Sequence, residues 1–276
     1  MRILYDLAIL LYGAAIRVAS LFSPKANKWV KGRNGLFSKI GQEVGQLDSW
    51  TIGQKSLDCP TVQLSNRPTV QLTNRPTVQL TNRPTVIWFH CASLGEFEQG
   101  RPVIEAFKNA HPDWKIALTF FSPSGYEIRK NYEGADHIFY LPLDTPRNAK
   151  KFIRLVNPSL AVFVKYEYWF RYLDVLYQKK VPVYIISALF RPEHHFFKWY
   201  GKWMLMQLKK VTGFFVQDEA SAKLLRTKGI AQVVVSGDTR FDRVLERKRN
   251  SGGAKPGLIS AELTISTVLV EATVTT

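Results

Sequence analysis

The chain has 276 residues, with 38 Lys and Arg against 22 Asp and Glu, for a formal net charge of +16. At 46% hydrophobic content it can build a core, which excludes a wholly disordered chain. Two cysteines, Cys59 and Cys91, cannot form a disulfide scaffold or a zinc ribbon, and the excess positive charge calls for an anionic partner: nucleic acid, anionic lipid or a phosphorylated substrate.

The amino terminus opens on an apolar run, Ile3 to Phe22, of about the length that crosses a bilayer as a helix. Asp6 and Arg17 interrupt it, and it has no clear basic leader or small-residue cleavage site, so it does not read as a cleaved signal peptide. Lys25, Lys28, Lys31 and Arg33 follow as a basic collar. Residues 1–45 therefore read as a membrane anchor, spanning or in-plane, against the alternative of an amphipathic helix on a soluble core. Next comes an eight-residue repeat: PTVQLSNR at 60–67, PTVQLTNR at 68–75 and 76–83, and PTV at 84–86. The recurring proline interrupts any strand ladder, so 54–85 reads as an irregular insertion without chemistry.

From 86 to 245 the rhythm is α/β. Apolar runs at 86–92, 115–121, 137–141, 160–164, 181–187, 213–217 and 232–237 read as buried strands. Helical stretches at 97–109, 124–132, 146–156, 168–179, 194–210 and 218–228 lie between them. That alternation predicts a doubly wound, Rossmann-like parallel sheet, with ligands beyond the carboxyl ends of the strands. The tail at 250–276 is β-branched, almost uncharged and unlike anything upstream.

The strand-to-helix turns are where chemistry is expected. After the first strand comes His90-Cys91-Ala92-Ser93-Leu94-Gly95-Glu96. Gly95 would let a ligand approach the backbone, yet Ser93 and Glu96 also have capping-box spacing. A capping glutamate is tied to backbone amides, whereas a general base keeps a carboxylate facing the crevice. Adjacent His90 and Cys91 point to opposite sheet faces, which argues against a nucleophile pair. Ser122-Pro123-Ser124-Gly125 follows the second strand and reads equally as an N-cap or as a phosphate or hydroxyl contact. Lys165-Tyr166-Glu167-Tyr168-Trp169 follows the fourth, and Gly237-Asp238-Thr239-Arg240 follows the last. Between Phe190 and Lys210, aromatics interleave with lysines, which suits a core-facing helix, a membrane interface or single-stranded nucleic acid.

Taken in order, the anchor with its collar, HCASLGEFEQG, TFFSPSGYE, YLPLD, VKYEYWF and GDTRFDRV resemble the N-terminal half of 3-deoxy-D-manno-octulosonic acid (Kdo) transferases. The resemblance implies the N-terminal half of a GT-B glycosyltransferase with a membrane-anchor helix, working at the cytoplasmic face of the inner membrane. It implies transfer of Kdo from CMP-Kdo to a lipid A precursor (lipid IVA), with no metal or other cofactor and no nucleic acid. Glu96 then maps onto the general base and Arg240 onto a transition-state stabiliser, with Ser93, Gly95 and Ser122 as substrate contacts. The first glutamate of the family's ETELWP-like motif is Lys165 here, so its stabilising role is not carried over. The second, CMP-Kdo-binding domain has no counterpart in the sequence, which implies little or no transfer by this chain alone. A non-catalytic membrane-surface module that binds anionic glycolipid is the alternative.

Overall fold

In the computed structural model, residues 1–49 and 85–237 are described. The repeat insertion, Cys59, Arg240 and the tail therefore lie outside the described residues. Three N-terminal helices, α1 (Arg2–Ala19), α2 (Pro24–Lys31) and α3 (Leu36–Ser49), precede the sheet domain. Its strands are β1 (Val86–Cys91), β2 (Lys115–Phe120), β3 (His137–Tyr140), β4 (Leu160–Val164), β5 (Val183–Ala188), β6 (Gly213–Val216) and β7 (Val233–Val235). The helices between them are α4 (Leu94–Ala110), α5 (Pro123–Arg129), α6 (Pro146–Val156), α7 (Phe170–Gln178), α8 (Lys202–Leu208) and α9 (Glu219–Thr227).

All seven strands pair in parallel, in the order β3-β2-β1-β4-β5-β6-β7. This is the expected doubly wound, Rossmann-like sheet, with the reversal of winding between β1 and β4. Strand alternation divides the core. Trp88 faces a cluster with Phe139, Phe152, Phe163 and Tyr172, while Ile87, Phe89 and Cys91 face Phe97, Phe107, Leu118 and Val162. Gly100 permits the close approach of α4 to the sheet, since a Cβ there would stand 2.9 Å from Val164 Cγ2.

The expected single helix over 194–210 is instead two 3₁₀ turns, His195–Phe197 and Trp199–Gly201, followed by α8. Gly201 lies so tightly against the chain that a Cβ would fall 1.7 Å from His195 O, so the backbone folds back on itself there. The aromatics of this stretch serve the core: Trp203 meets Phe170 at 5.1 Å and Tyr5 at 5.8 Å between ring centroids, and Phe196 meets Tyr168 at 4.9 Å. Trp199 alone among them is nearly bare, at 92% exposure.

The charge inside the apolar N-terminal run has a structural explanation. Asp6 receives both Nε and Nη2 of Arg171, a guanidinium buried on α7. Tyr5, one residue earlier, donates its hydroxyl to the buried Asp144. Asp144 also accepts the amides of Arg171 and Tyr172, each at 3.1 Å, and so caps the amino end of α7 from a distance. Burial pushes its carboxyl up to about 6, against the lowering effect of these donors. Farther along, Gly13 is the buried position at which α1 rests on Leu143. One stripe of α1 is thus docked, while Ile3, Leu4, Leu7, Leu10 and Leu11 remain exposed.

Arg33 departs from the expected collar. Its guanidinium lies 3.7 Å from the Trp29 ring centroid and 4.8 Å from those of Phe121 and Tyr140, and it donates to the carbonyls of Trp29, Phe121 and Leu141. Burial pulls its pKa down to about 9, opposed by the tyrosines around it. Arg33 therefore clamps α2 to the ends of β2 and β3. Among the described residues no single helix is long and apolar enough to cross a membrane; α1 and α2 meet that requirement only together, and are bent by 120° at the break.

Removing Asp6 leaves the buried Arg171 guanidinium with Asp174 as its remaining carboxylate among the described residues, beside the Arg2 carbonyl. Asp6→Ala is expected to cost of order 2 kcal/mol of unfolding free energy, because Asp6 is itself partly solvated and its loss exposes less than a fully buried break. It should also open the α1–α2 junction to limited proteolysis. Asp6→Leu with Arg171→Met should recover most of the loss; an unchanged urea midpoint for Asp6→Ala would mean that α1 is not held this way.

Candidate functional site

A parallel sheet delivers every strand's carboxyl end to one edge, and the turns after β1, β2 and β4 meet there. The Ala92 carbonyl accepts the amides of both Phe121 (3.2 Å) and Ser122 (2.7 Å), which holds the first two turns side by side. Phe121 then stacks on Trp169 from the third, with 4.7 Å between ring centroids.

Within the first turn, Ser93 occupies the N-cap position of α4 but makes no side-chain cap. Its hydroxyl instead donates to Glu96 Oε2 at 2.6 Å. Among the described residues this is the Glu96 carboxylate's hydrogen-bond partner, and no backbone amide ties it down. The capping-box pattern is therefore not realised. Glu96 is half-buried, and Gly95 is exposed with nothing nearer a notional Cβ than Ser93 Oγ at 3.9 Å. Space is open beside a serine-held carboxylate.

His90 and Cys91 diverge as expected. Cys91 is fully buried, and burial, followed by the negative charges of Glu96 and Glu167, pushes its thiol well up. A protonated, enclosed thiol is not a nucleophile. His90 is also buried, but within a polar chain. Its Nδ1 lies 2.8 Å from Thr119 Oγ1 and 3.1 Å from Thr119 O. The threonine hydroxyl accepts from Trp88 Nε1 and donates to Phe89 O, so Nδ1 carries the imidazole proton. His90 Nε2 then accepts from Trp169 Nε1 at 3.0 Å, and the same indole N–H reaches Glu167 Oε2 at 2.6 Å.

This His90–Trp169–Glu167 group fixes a second carboxylate at the sheet edge, next to the reversal point between β1 and β4. Its members belong to two motifs read separately in the sequence. Their juxtaposition follows from the β1–β4 pairing, in which His90 stands opposite Phe163. Backbone strain gathers here as well. Lys165 and Ser187, both non-glycine, adopt left-handed φ values of 69° and 52° at the ends of β4 and β5. Ser122 lies one turn away, its hydroxyl accepting the Ser124 amide at 3.3 Å. The structure thus brings Ser93, Gly95, Glu96, Ser122 and the 165–169 cluster to one edge, and Arg240 lies outside the described residues.

Residues 66–243 match the 3-deoxy-D-manno-octulosonic-acid transferase (kdotransferase) family. The chain belongs to this family. Relatives named 3-deoxy-D-manno-octulosonic acid transferase include one from Haemophilus influenzae, 27% identical over 56% of this chain and 38% of its own length. One from Aquifex aeolicus is 28% identical over 56% of this chain and 40% of its own, and one from Chlamydophila psittaci is 30% identical over 49% and 32%. The chain's similarity to these Kdo transferases thus spans about two-fifths or less of their length.

The tautomer of His90 checks the polar chain directly. Nitrogen NMR of labelled protein at neutral pH should find the proton on Nδ1 and Nε2 acting as acceptor. Trp169→Phe should shift the Nε2 resonance while leaving Nδ1 nearly unchanged. A proton on Nε2 in the wild type would refute the assignment.

Proposed function

We propose that this sheet edge activates the acceptor hydroxyl in a Kdo transfer reaction. The observation that carries the reading is the Glu96 carboxylate, released from capping, held by Ser93 and set beside the open space over Gly95. Glu96 takes the proton from an acceptor hydroxyl as that oxygen attacks the anomeric carbon of Kdo, and the C–O bond to CMP breaks. Ser93 holds the carboxylate in place, and Gly95 and Ser122 border the acceptor. Arg240, a few residues beyond β7 in the sequence, supplies a positive charge for the departing phosphate. The donor in this reading is CMP-Kdo and the acceptor a phosphorylated lipid A precursor such as lipid IVA. No metal or cofactor takes part. In GT-B fashion, a second domain facing this edge would hold the nucleotide.

Work on such an acceptor takes place at a membrane surface, for this family the cytoplasmic face of the inner membrane. The exposed apolar residues of α1 and the collar lysines support an in-plane attachment: Lys25, Lys28 and Lys31 make no ion pair among the described residues, and the docking of Asp6 and Gly13 keeps α1 against the domain. The same surface supports the alternative, a module that binds anionic glycolipid without turning it over.

The decisive assay follows label from CMP-Kdo to lipid IVA, using the chain fused to the C-terminal part of the Aquifex aeolicus relative. Glu96→Gln should lower transfer about 100- to 10,000-fold, the range of general-base catalysis. Full activity in that variant would remove Glu96 from the reaction. Binding of lipid IVA with no CMP release by the fusion would favour the non-catalytic module.

For attachment, Leu7→Glu with Leu11→Glu should abolish co-sedimentation with vesicles of anionic phospholipid, and raised salt should weaken the wild type. Binding that survives both changes would place the membrane contact elsewhere.

A further inference from the structure

Between the α1–α2 elbow and the turn after β2 lies a slot of 290 Å³ lined by Tyr12, Ile16, Ala26, Trp29, Phe121 and Pro123, with Ser23, Lys25 and Ser122 completing it. Its walls are mainly apolar, and its polar side chains are two serines, one lysine and the Tyr12 phenol. Two structural features make it a built cavity. Ser23 caps α2 by accepting the Ala26 amide, which sets the elbow, and the Arg33 guanidinium packs against both Trp29 and Phe121, whose rings also meet edge-on at 5.6 Å. We propose that this slot holds one acyl chain of an anionic lipid, with the lipid's phosphate against Lys25. This rests on the reading of the acceptor as a phosphorylated glycolipid, and assigns it a subsite.

Three observations select that occupant. First, the slot continues in both directions. Phe121 and Ser122 belong to the turn hydrogen-bonded to Ala92 O, one residue before Ser93, while Tyr12 and Ile16 belong to the helix whose remaining apolar residues are exposed. A chain lying in it would run from the lipid surface to the catalytic edge. Second, Lys25 is exposed and makes no ion pair among the described residues, so its ammonium is available to a phosphate. Third, the polar groups of the slot lining are few: two serine hydroxyls, the Tyr12 hydroxyl and the Lys25 ammonium. A peptide or nucleic acid would bring more polar groups than these can satisfy.

The test uses the full chain and dodecyl phosphate below its micelle concentration. A doxyl spin label on the alkyl chain should broaden the amide signals of Ile16, Ala26 and Ser122 more than those of Leu7 and Leu11. Ala26→Trp fills the slot and should weaken binding at least about tenfold, as expected for the loss of two or three buried methylenes. Lys25→Ala, at an exposed position that does not threaten the fold, should weaken it about threefold and flatten its salt dependence. Broadening centred on Leu7 and Leu11, affinity unchanged by both variants, or absence of binding would overturn the proposal. A parallel titration compares lipid IVA with its deacylated disaccharide bisphosphate. If dodecyl phosphate occupies the slot and lipid IVA does not bind, the slot stands and the acceptor reading fails; if both bind and the deacylated form matches lipid IVA, the slot is not part of acceptor recognition.

Discussion

The architecture of the N-terminal region depends on a single buried guanidinium. The Arg171 guanidinium cannot be left unpaired at 2% exposure, so something must bring it carboxylates. Asp174 comes from its own helix, and Asp6 comes from a helix some 165 residues earlier in the chain. The same junction is reinforced by Tyr5 on Asp144, which in turn holds the first amides of α7. An apolar helix is thereby fixed in orientation by its polar residues. Its apolar side chains then divide into a stripe that packs and a stripe that does not.

That division explains why the sheet domain was legible in the sequence and the N-terminal region was only partly so. A parallel sheet covered on both faces leaves near-continuous apolar runs, and all seven appear as strands within a residue or two of their expected limits. Helix ends were also readable where local chemistry marks them, as with Pro146 after the Thr145 cap. The docking of α1 was not readable. Asp6 and Arg17 looked like interruptions of a hydrophobic run because the partner of Asp6 lies on α7, beyond the range of any periodicity. Arg33 looked like one more surface cation for the same reason: the three rings that enclose it are Trp29, Phe121 and Tyr140, brought together only by the fold. Over 194–210 the aromatic spacing suggested one helix, and the tight fold-back at Gly201 overrode it.

At the candidate site the sequence identified the turns but not their internal bonding. Ser93 and Glu96 satisfy the capping-box spacing, and spacing alone cannot tell a serine that accepts an amide from one that donates to the glutamate. The structure distinguishes them because the bond observed runs from hydroxyl to carboxylate. His90 and Glu167 are 77 positions apart, so their shared contact with the Trp169 indole had no sequence signal beyond each lying at a strand end.

The distribution of charge links these observations. The acidic groups of the described residues are largely committed: Asp6 and Asp174 to Arg171, Asp136 to Lys108 and Lys115, Glu105 to Arg101. The cations of α2 and of the α6 face formed by Arg147, Lys150, Lys151 and Arg154 have no such partners among the described residues, and the α6 group lines a groove of 380 Å³. Among the described residues, the unpaired lysines of α2 lie on the helix that packs against α1. They adjoin the exposed apolar residues of α1, the arrangement that an anionic, amphiphilic partner complements and that a uniformly polar polyanion does not.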